Sequence, residues 1–431
     1  MHMGTQSHSR VEDLNERFQE RRGQVPVLAR RAEDEGIQEI RHEQDVVPLL
    51  FPHTTYKSYP ETLISRGMWP QLNRWLDSLS VRRVEVDVSG VEDVDSWIER
   101  LESAGHLVTG SSGTSGKASF LNKSEADREA SLSDFIRCMT NLGLVPSPVW
   151  NVIPTGPETG VKSHLLMRNL LIDNYAKPDA IAIPPARVNT RHYRYMARLS
   201  SMRKAMADGS ARPDKVAAFE SESAERQKAN DEWLKYLTEQ LLAHRDEPML
   251  FSSMFASLYR LVELLRERGA APGDLTAQNA MTSGGGLKGA GLPADYREQC
   301  FAMLNIAPER FLHYYSMQEL NTRMPKCPEA GRYHVPNELV LFVLDKDGES
   351  LAAVSDGQAK GRAAFFDFTV DGRWGGTMSG DQVIADFGPC PCGRPGPTVL
   401  DDINRYSDLA DGDKITCAGT MDAYVRGFIG E

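Results

Sequence analysis

A chain of 431 residues, 41% hydrophobic and 25% charged, has the composition of a globular protein and enough length for one large domain or two to three ordinary ones. No apolar run approaches the roughly 20 residues that span a bilayer, the N-terminal stretch lacks the apolar core of a secretory signal, and a net charge of −11 disfavours nonspecific nucleic-acid binding. Six cysteines make no disulfide scaffold in a chain this long, so a reduced, cytoplasmic protein with small-molecule or protein partners is expected.

In chain order, residues 1–45 are rich in Glu, Arg and Gln and read as an exposed helical arm. From Val46 to Leu101 the pattern is mostly helical, with Trp69, Leu72, Trp75 and Leu76 spaced as one buried helix face. Leu107-Val108, a Gly/Ser/Thr loop and Ser119-Phe120-Leu121 read as strand, loop, and strand or helix, the loop at a sheet edge. An amphipathic helix is expected over 126–143, and the apolar runs Val149–Val152 and Ala180–Ile183 resemble buried strands. This alternation predicts an α/β core over 46–403. Within it, 190–245 reads as a helical insertion, 253–268 as another amphipathic helix, and Leu339–Leu344 and Ala363–Phe368 as strands of a β-rich part over 320–400. A turn-rich piece at 404–413 follows.

The loop reads Thr109-Gly110-Ser111-Ser112-Gly113-Thr114-Ser115-Gly116-Lys117. Three glycines let backbone approach a charged group closely while hydroxyls and amides point inward, which suits a polyphosphate, and Lys117 supplies a compact positive charge. It is not the Walker pattern, which needs four residues between its first Gly and its Gly-Lys pair. Composition alone reads the same run as a linker.

The order Ser-Ser-Gly-Thr-Ser-Gly-Lys resembles the Thr-Ser-Gly-Thr-Thr-Gly-Lys signature of the adenylate-forming superfamily, which includes acyl-CoA synthetases and adenylation domains. Further segments resemble that superfamily in the same order. Met281-Thr282-Ser283-Gly284-Gly285-Gly286-Leu287-Lys288-Gly289 is similar to its glycine turn beside the adenine and acyl pockets. Tyr314-Tyr315-Ser316-Met317-Gln318-Glu319 is similar to its Tyr-Gly-x-Thr-Glu segment, with Ser316 for Gly and Gln318 for Thr. The resemblance implies that Tyr315 stacks on adenine and that Glu319 helps to hold Mg²⁺. Ser379-Gly380-Asp381 is similar to the Thr-Gly-Asp segment, whose carboxylate accepts the ribose hydroxyls. The likeness is nearest to the acyl-protein synthetase branch and to phenylacetate-CoA ligase-like enzymes, through Gly-Gly-Gly-Leu-Lys and the opening region Phe51-Pro52 to Tyr59-Pro60 with Tyr56-Lys57-Ser58. It implies ATP-dependent activation of a carboxylic acid to acyl-AMP, release of pyrophosphate, and transfer to a thiol of CoA, a carrier protein or the enzyme itself, an acyl-transferring enzyme being a further partner. The acid lies between the 284–289 turn and the strand before Glu319, with His164 and His313 as pocket candidates. A degenerate adenylate-binding scaffold without turnover is the alternative.

Cys327, His334, Cys390 and Cys392 offer three thiols and one imidazole, a complete tetrahedral set for Zn²⁺, and Cys-Pro-Cys-Gly resembles a metal knuckle. Some phenylacetate-CoA ligase relatives look the same here. Four ligands leave no open position, so the metal reads as structural and a zinc-dependent hydrolase as the weaker third reading. Asn404-Arg405-Tyr406-Ser407-Asp408 with Lys414 resembles the superfamily hinge, implying Arg405 at the nucleotide and a C-terminal mobile domain that is missing or vestigial. Lys414 is a candidate for stabilising charge at the α-phosphate, and Cys417 for carrying the acyl group, with a buried inert thiol as the bland reading of Cys417.

Overall fold

A computed structural model describes residues 3–111, 117–156, 162–182, 191–284, 291–409, 412–413 and 428–429. Its described strands are β1 (Phe51–Pro52), β2 (Leu107–Gly110), β3 (Phe120–Lys123), β4 (Asn151–Pro154), β5 (Met249–Ser252), β6 (Ala280–Gly284), β7 (Phe311–Tyr315), β8 (Met324–Pro325), β9 (Tyr333–His334), β10 (Leu339–Leu344), β11 (Gln358–Asp367), β12 (Gly376–Asp386), β13 (Thr398–Val399) and β14 (Asn404–Arg405). With the helices among them the chain is mixed α/β. It divides into two units: residues 1–111, 117–131 and 317–431 form the first, and residues 112–116 and 132–316 the second. No described helix is long and apolar enough to cross a membrane.

The first unit is built on a mostly antiparallel sheet in the order β10-β11-β12-β13-β9, with β1 and β14 also paired to β12. β10 is buried along its whole length, as its unbroken Leu-Val-Leu-Phe-Val-Leu run requires. β2 and β3 form a separate antiparallel hairpin. The helix Trp69–Ser78 buries Trp69, Leu72, Trp75 and Leu76, the face that the spacing predicts. Residues 1–45 depart from the expected exposed arm. They form helices over Met3–Arg22 and Pro26–Asp34, and Leu14, Phe18, Val25, Val27 and Leu28 are fully buried. Phe18 packs edge-on to Trp374 at 6.3 Å, and Arg21 meets Asp371 at 3.1 Å. The few large apolar residues there are spaced onto one face, which a composition dominated by charge conceals.

The second unit holds a parallel sheet, β4-β5-β6-β7. The crossovers carry the helices Lys162–Tyr175, His192–Ala207 and Pro213–Ala243, then Phe255–Glu267, then Tyr296–Leu304, so both sheet faces are covered. One face packs Ile153, Phe251 and Met281 against Leu258, Leu261 and Leu265. The other packs Val152, Leu250, Ala280 and Leu312 against Phe135, Cys138 and Leu171. The run at 180–182 is no strand: the Ile181 amide donates to the Asn151 side chain at 2.9 Å and the Ala182 carbonyl accepts from the Tyr236 hydroxyl at 2.6 Å. Side chains there satisfy the backbone in place of a ladder.

Candidate functional site

In the first unit, Glu319 lies in an irregular segment between residue 317 and β8, so its position depends on side chains that hold the backbone. Two buried carboxylates do this. Asp127 accepts from the Asn321 side-chain amide at 2.7 Å and from the amides of Asp371, Gly372 and Ser124, each at 2.9 Å. Asp367 accepts from the amides of Asn321 and Thr322 at 2.8 and 2.9 Å and from the Thr322 hydroxyl at 3.1 Å. Burial alone would raise the Asp127 pKa, but the Arg373 guanidinium and these amides outweigh it and hold the carboxyl at about 2. Asp127 also closes a capping box with Ser124 at the start of the helix Glu125–Asn141, its amide donating to the Ser124 hydroxyl at 3.1 Å.

Arg373 donates to the Glu319 carbonyl at 3.1 Å, fixing the residue by its backbone and leaving the carboxylate for another partner. That carboxyl is half-buried and burial raises its pKa, against the pull of Arg373, Lys57 and Lys123. Lys123 sits 3.3 Å from the Asn321 side-chain oxygen, and burial lowers its ammonium to about 8. Lys57 ends the turn Thr55–Lys57 between the buried Tyr56 and Ser58. Burial lowers its pKa, Glu319 and Asp413 oppose that, and Arg405 adds to it. Its ammonium makes no hydrogen bond or ion pair among the described residues. Sequence reasoning assigned Lys57 no role; a lysine inside the run Thr55, Tyr56, Ser58, Tyr59, all buried, was the available signal.

Asp381 is brought to Arg405 by register, the two facing each other across β12 and β14 with the Asp381 carboxylate 3.8 Å from Arg405 Nε. The Asp381 amide donates to the Ser379 hydroxyl at 3.1 Å. His53 extends β1 along β12, its amide donating to the Met378 carbonyl at 2.8 Å, and its ring packs against Gly380. Burial and then Lys57 lower the imidazole to about 4, and its Nδ1 is buried without a hydrogen-bond partner. Beyond the hinge-like residues, Asp413 forms a buried ion pair with Arg362 at 2.8 Å, and Arg362 also lies over the Tyr406 ring at 4.2 Å. Gln318, beside Glu319, has a buried side-chain oxygen without a partner.

The Gly/Ser/Thr loop spans the β2–β3 hairpin. At its base Ser111 donates its amide to the Ser119 carbonyl at 3.0 Å and accepts the Ser119 amide on its hydroxyl at 2.8 Å. Ser112, Gly113, Thr114, Ser115 and Gly116 lie outside the described residues, as do Gly285, Gly286, Lys414 and Cys417. Lys117 turns onto Tyr59, its ammonium meeting the Tyr59 carbonyl and lying 4.1 Å from the ring centroid. Tyr59 also donates to the Ala118 carbonyl at 2.9 Å, so it anchors the chain on the C-terminal side of the loop. In the second unit, Gly284 closes β6, Tyr315 closes β7 and Ser316 follows it, both half-buried, while Tyr314 points to the other face and meets Phe135 edge-on. His164 is exposed, and His313 stacks on Phe311 at 5.4 Å.

Cys327, His334, Cys390 and Cys392 come together, all four ligand atoms within 4.8 Å of one another. Zinc bonds of about 2.3 Å to sulfur and 2.0–2.1 Å to nitrogen set tetrahedral ligand atoms about 3.6–3.8 Å apart. The Cys327 and Cys390 sulfurs are 4.0 Å apart, and the Cys392 sulfur is 3.5 Å from His334 Nε2, so the donor set fits such an ion. Each Cys lies in a turn closed by a left-handed glycine, Gly331 at φ +65° and Gly393 at φ +82°, where a side chain would be strained. β9 and β13, which pair with each other, carry or adjoin these turns.

No family model matches the chain, and no curated protein matches it. Among solved structures it is similar to ATP-bound MatB from Rhodopseudomonas palustris, with a TM-score of 0.40 and 16% identity over 70% of this chain and 48% of that one. The chain thus spans about half the length of that structure.

Proposed function

We propose that this chain activates a carboxylic acid with MgATP: an acid oxygen bonds to the α-phosphorus, the bond to the leaving pyrophosphate breaks, and acyl-AMP forms. The observation that supports it most is the set of charges in the first unit. Glu319, Arg405 and Asp413 come from distant parts of the sequence yet each acts electrostatically on Lys57, and Arg405 faces Asp381.

In this reading Lys57 and Lys117 neutralise the phosphates, and the Asp381 carboxylate accepts from the ribose hydroxyls with Arg405 beside it. Tyr315 stacks on the adenine. Glu319, its backbone fixed by Arg373, offers one carboxylate to Mg²⁺, which is commonly held by one or two carboxylates plus substrate phosphates. The ion when bound offsets the charge that develops on the phosphates. Cys327, His334, Cys390 and Cys392 hold a structural Zn²⁺ that ties the β9 and β13 turns together. The sulfur of a thiol of CoA, a carrier protein or Cys417 then bonds to the acyl carbon, the bond from that carbon to the phosphate oxygen breaks, and AMP leaves as the thioester forms.

Acid-dependent exchange of pyrophosphate into ATP, measured on the full chain with a panel of aliphatic, aromatic and hydroxylated acids, tests this directly. The reading predicts exchange with at least one acid, and a loss of about a hundredfold or more in Lys57→Ala. Nucleotide binding without exchange on any acid would point to the scaffold alternative.

A further inference from the structure

The parallel sheet of the second unit ends in a row that changes character within one step. Registers align Ile153 with Phe251, Phe251 with Met281, and Met281 with Phe311, giving one apolar row across β4, β5, β6 and β7. Side chains of a strand alternate between faces, so the next residues on that same face are Thr155, Ser253, Ser283 and His313. The ladder continues far enough to hold them. Thr155 donates its amide to the Ser252 carbonyl at 3.3 Å, Ser253 to the Thr282 carbonyl at 3.2 Å, and Ser283 pairs with His313. The Thr155 and Ser253 hydroxyls touch each other, which confirms that they share a face. Three hydroxyls and an imidazole therefore stand in line at the carboxyl end of four adjacent parallel strands, the end at which open α/β sheets bind ligands.

Ser283 is 3% exposed and stands beside Ser253 on one side and His313 on the other. A ligand group that reached its hydroxyl would leave water to do so, which favours a polar group able to hydrogen-bond it. The row beneath sets a size limit. Ile153, Phe251 and Met281 are completely buried in one cluster with the Phe255–Glu267 helix, so among the described residues these side chains fill the space that a hydrocarbon chain running down this face would need.

Building on the adenylation reading, we propose that the row Thr155–Ser253–Ser283–His313 recognises the acid, and that the acid is short and carries a hydroxyl or amino group besides its carboxylate. Ser283 is the specificity-determining residue, with Thr155 and Ser253 fixing each other beside it. A site that hydrogen-bonds a substrate hydroxyl discriminates strongly against the analogue lacking it, because its own polar groups are then left unpaired.

The test uses acid pairs of equal size in which a methyl replaces the hydroxyl: 3-hydroxypropionate against butyrate, and 3-hydroxybenzoate against 3-methylbenzoate, each assayed by pyrophosphate exchange. The hydroxylated member should be favoured in kcat/KM by about tenfold or more in at least one pair. Ser283→Ala should bring that ratio close to one, and Ser283→Thr, which keeps the hydroxyl, should restore most of it; thermal melting confirms that both variants are folded. Equal use of both members, or a preference that survives Ser283→Ala in a folded protein, overturns the inference and leaves acid activation standing. Absence of exchange with every acid overturns acid activation and the inference with it.

Discussion

The two units solve different problems with different means. The first gathers ionic groups and then restrains them. Glu319 sits on backbone held by Asp127, Asp367 and Arg373, and Arg362 binds Asp413 out of water. The second relies, among its described residues, on strand register to line up the uncharged hydroxyls of Thr155, Ser253 and Ser283 with His313. The difference suits the two halves of an acid-activating reaction, in which a polyphosphate needs fixed cations while a small acid needs neutral hydrogen bonds that need not be paid for by desolvating an ion.

The largest test of this contrast is metal removal. If the four-ligand cluster of the first unit holds zinc, a strong chelator should unfold the β9–β13 end, since structural zinc in small sites is worth roughly 10 kcal/mol or more. Hydrogen exchange should then show loss of protection around Cys327–His334 and Cys390–Val399 while β4–β7 stay protected. Uniform loss in both units would erase the distinction. Next in size, Glu319→Gln should lower exchange activity by about a thousandfold and raise the Mg²⁺ concentration needed for half-maximal rate. An unchanged Mg²⁺ dependence would remove Glu319 from the metal.

Asp127→Asn probes the restraint beneath the charges. It leaves Arg373 buried without its anion and should destabilise the first unit by about 3 kcal/mol, read from denaturant unfolding. The sign with pH follows from the depressed carboxyl. Its folded pKa of about 2 lies below the ordinary 3.8, so its contribution is complete above about pH 4 and is lost as pH falls toward 2. The wild type should therefore lose stability in that window more steeply than Asp127→Asn. The smallest effect is the roughly tenfold loss of selectivity expected for Ser283→Ala, which should spare the Mg²⁺ dependence if the two units divide the work as described.

Legibility in the sequence followed the range of the interactions. Local signals read well: the helix face Trp69, Leu72, Trp75 and Leu76, the β2 and β3 strands about the Gly/Ser/Thr loop, and the Cys-Pro-Cys-Gly turn that meets Cys327 and His334. Long-range roles did not. Ser124 and Asp127 carry a visible capping pattern, but nothing nearby in sequence says that the same carboxylate receives the amides of Asp371 and Gly372. The polar row was hidden for a similar reason, since Thr155, Ser253 and Ser283 become neighbours only through parallel pairing across long crossovers. Leu14 and Phe18 were masked by the charged residues between them, and Ala180–Ile183 looked like a strand because apolar content alone cannot show what the backbone groups of its described part, 180–182, bind.

The most direct measurement is the Mg²⁺ dependence of acid-stimulated pyrophosphate exchange in the wild type, Lys57→Ala and Glu319→Gln, compared side by side. The account predicts acid-dependent exchange in the wild type, a fall of about a hundredfold or more in Lys57→Ala, and a larger fall with weakened Mg²⁺ dependence in Glu319→Gln. Full exchange in folded Lys57→Ala and Glu319→Gln proteins would contradict it.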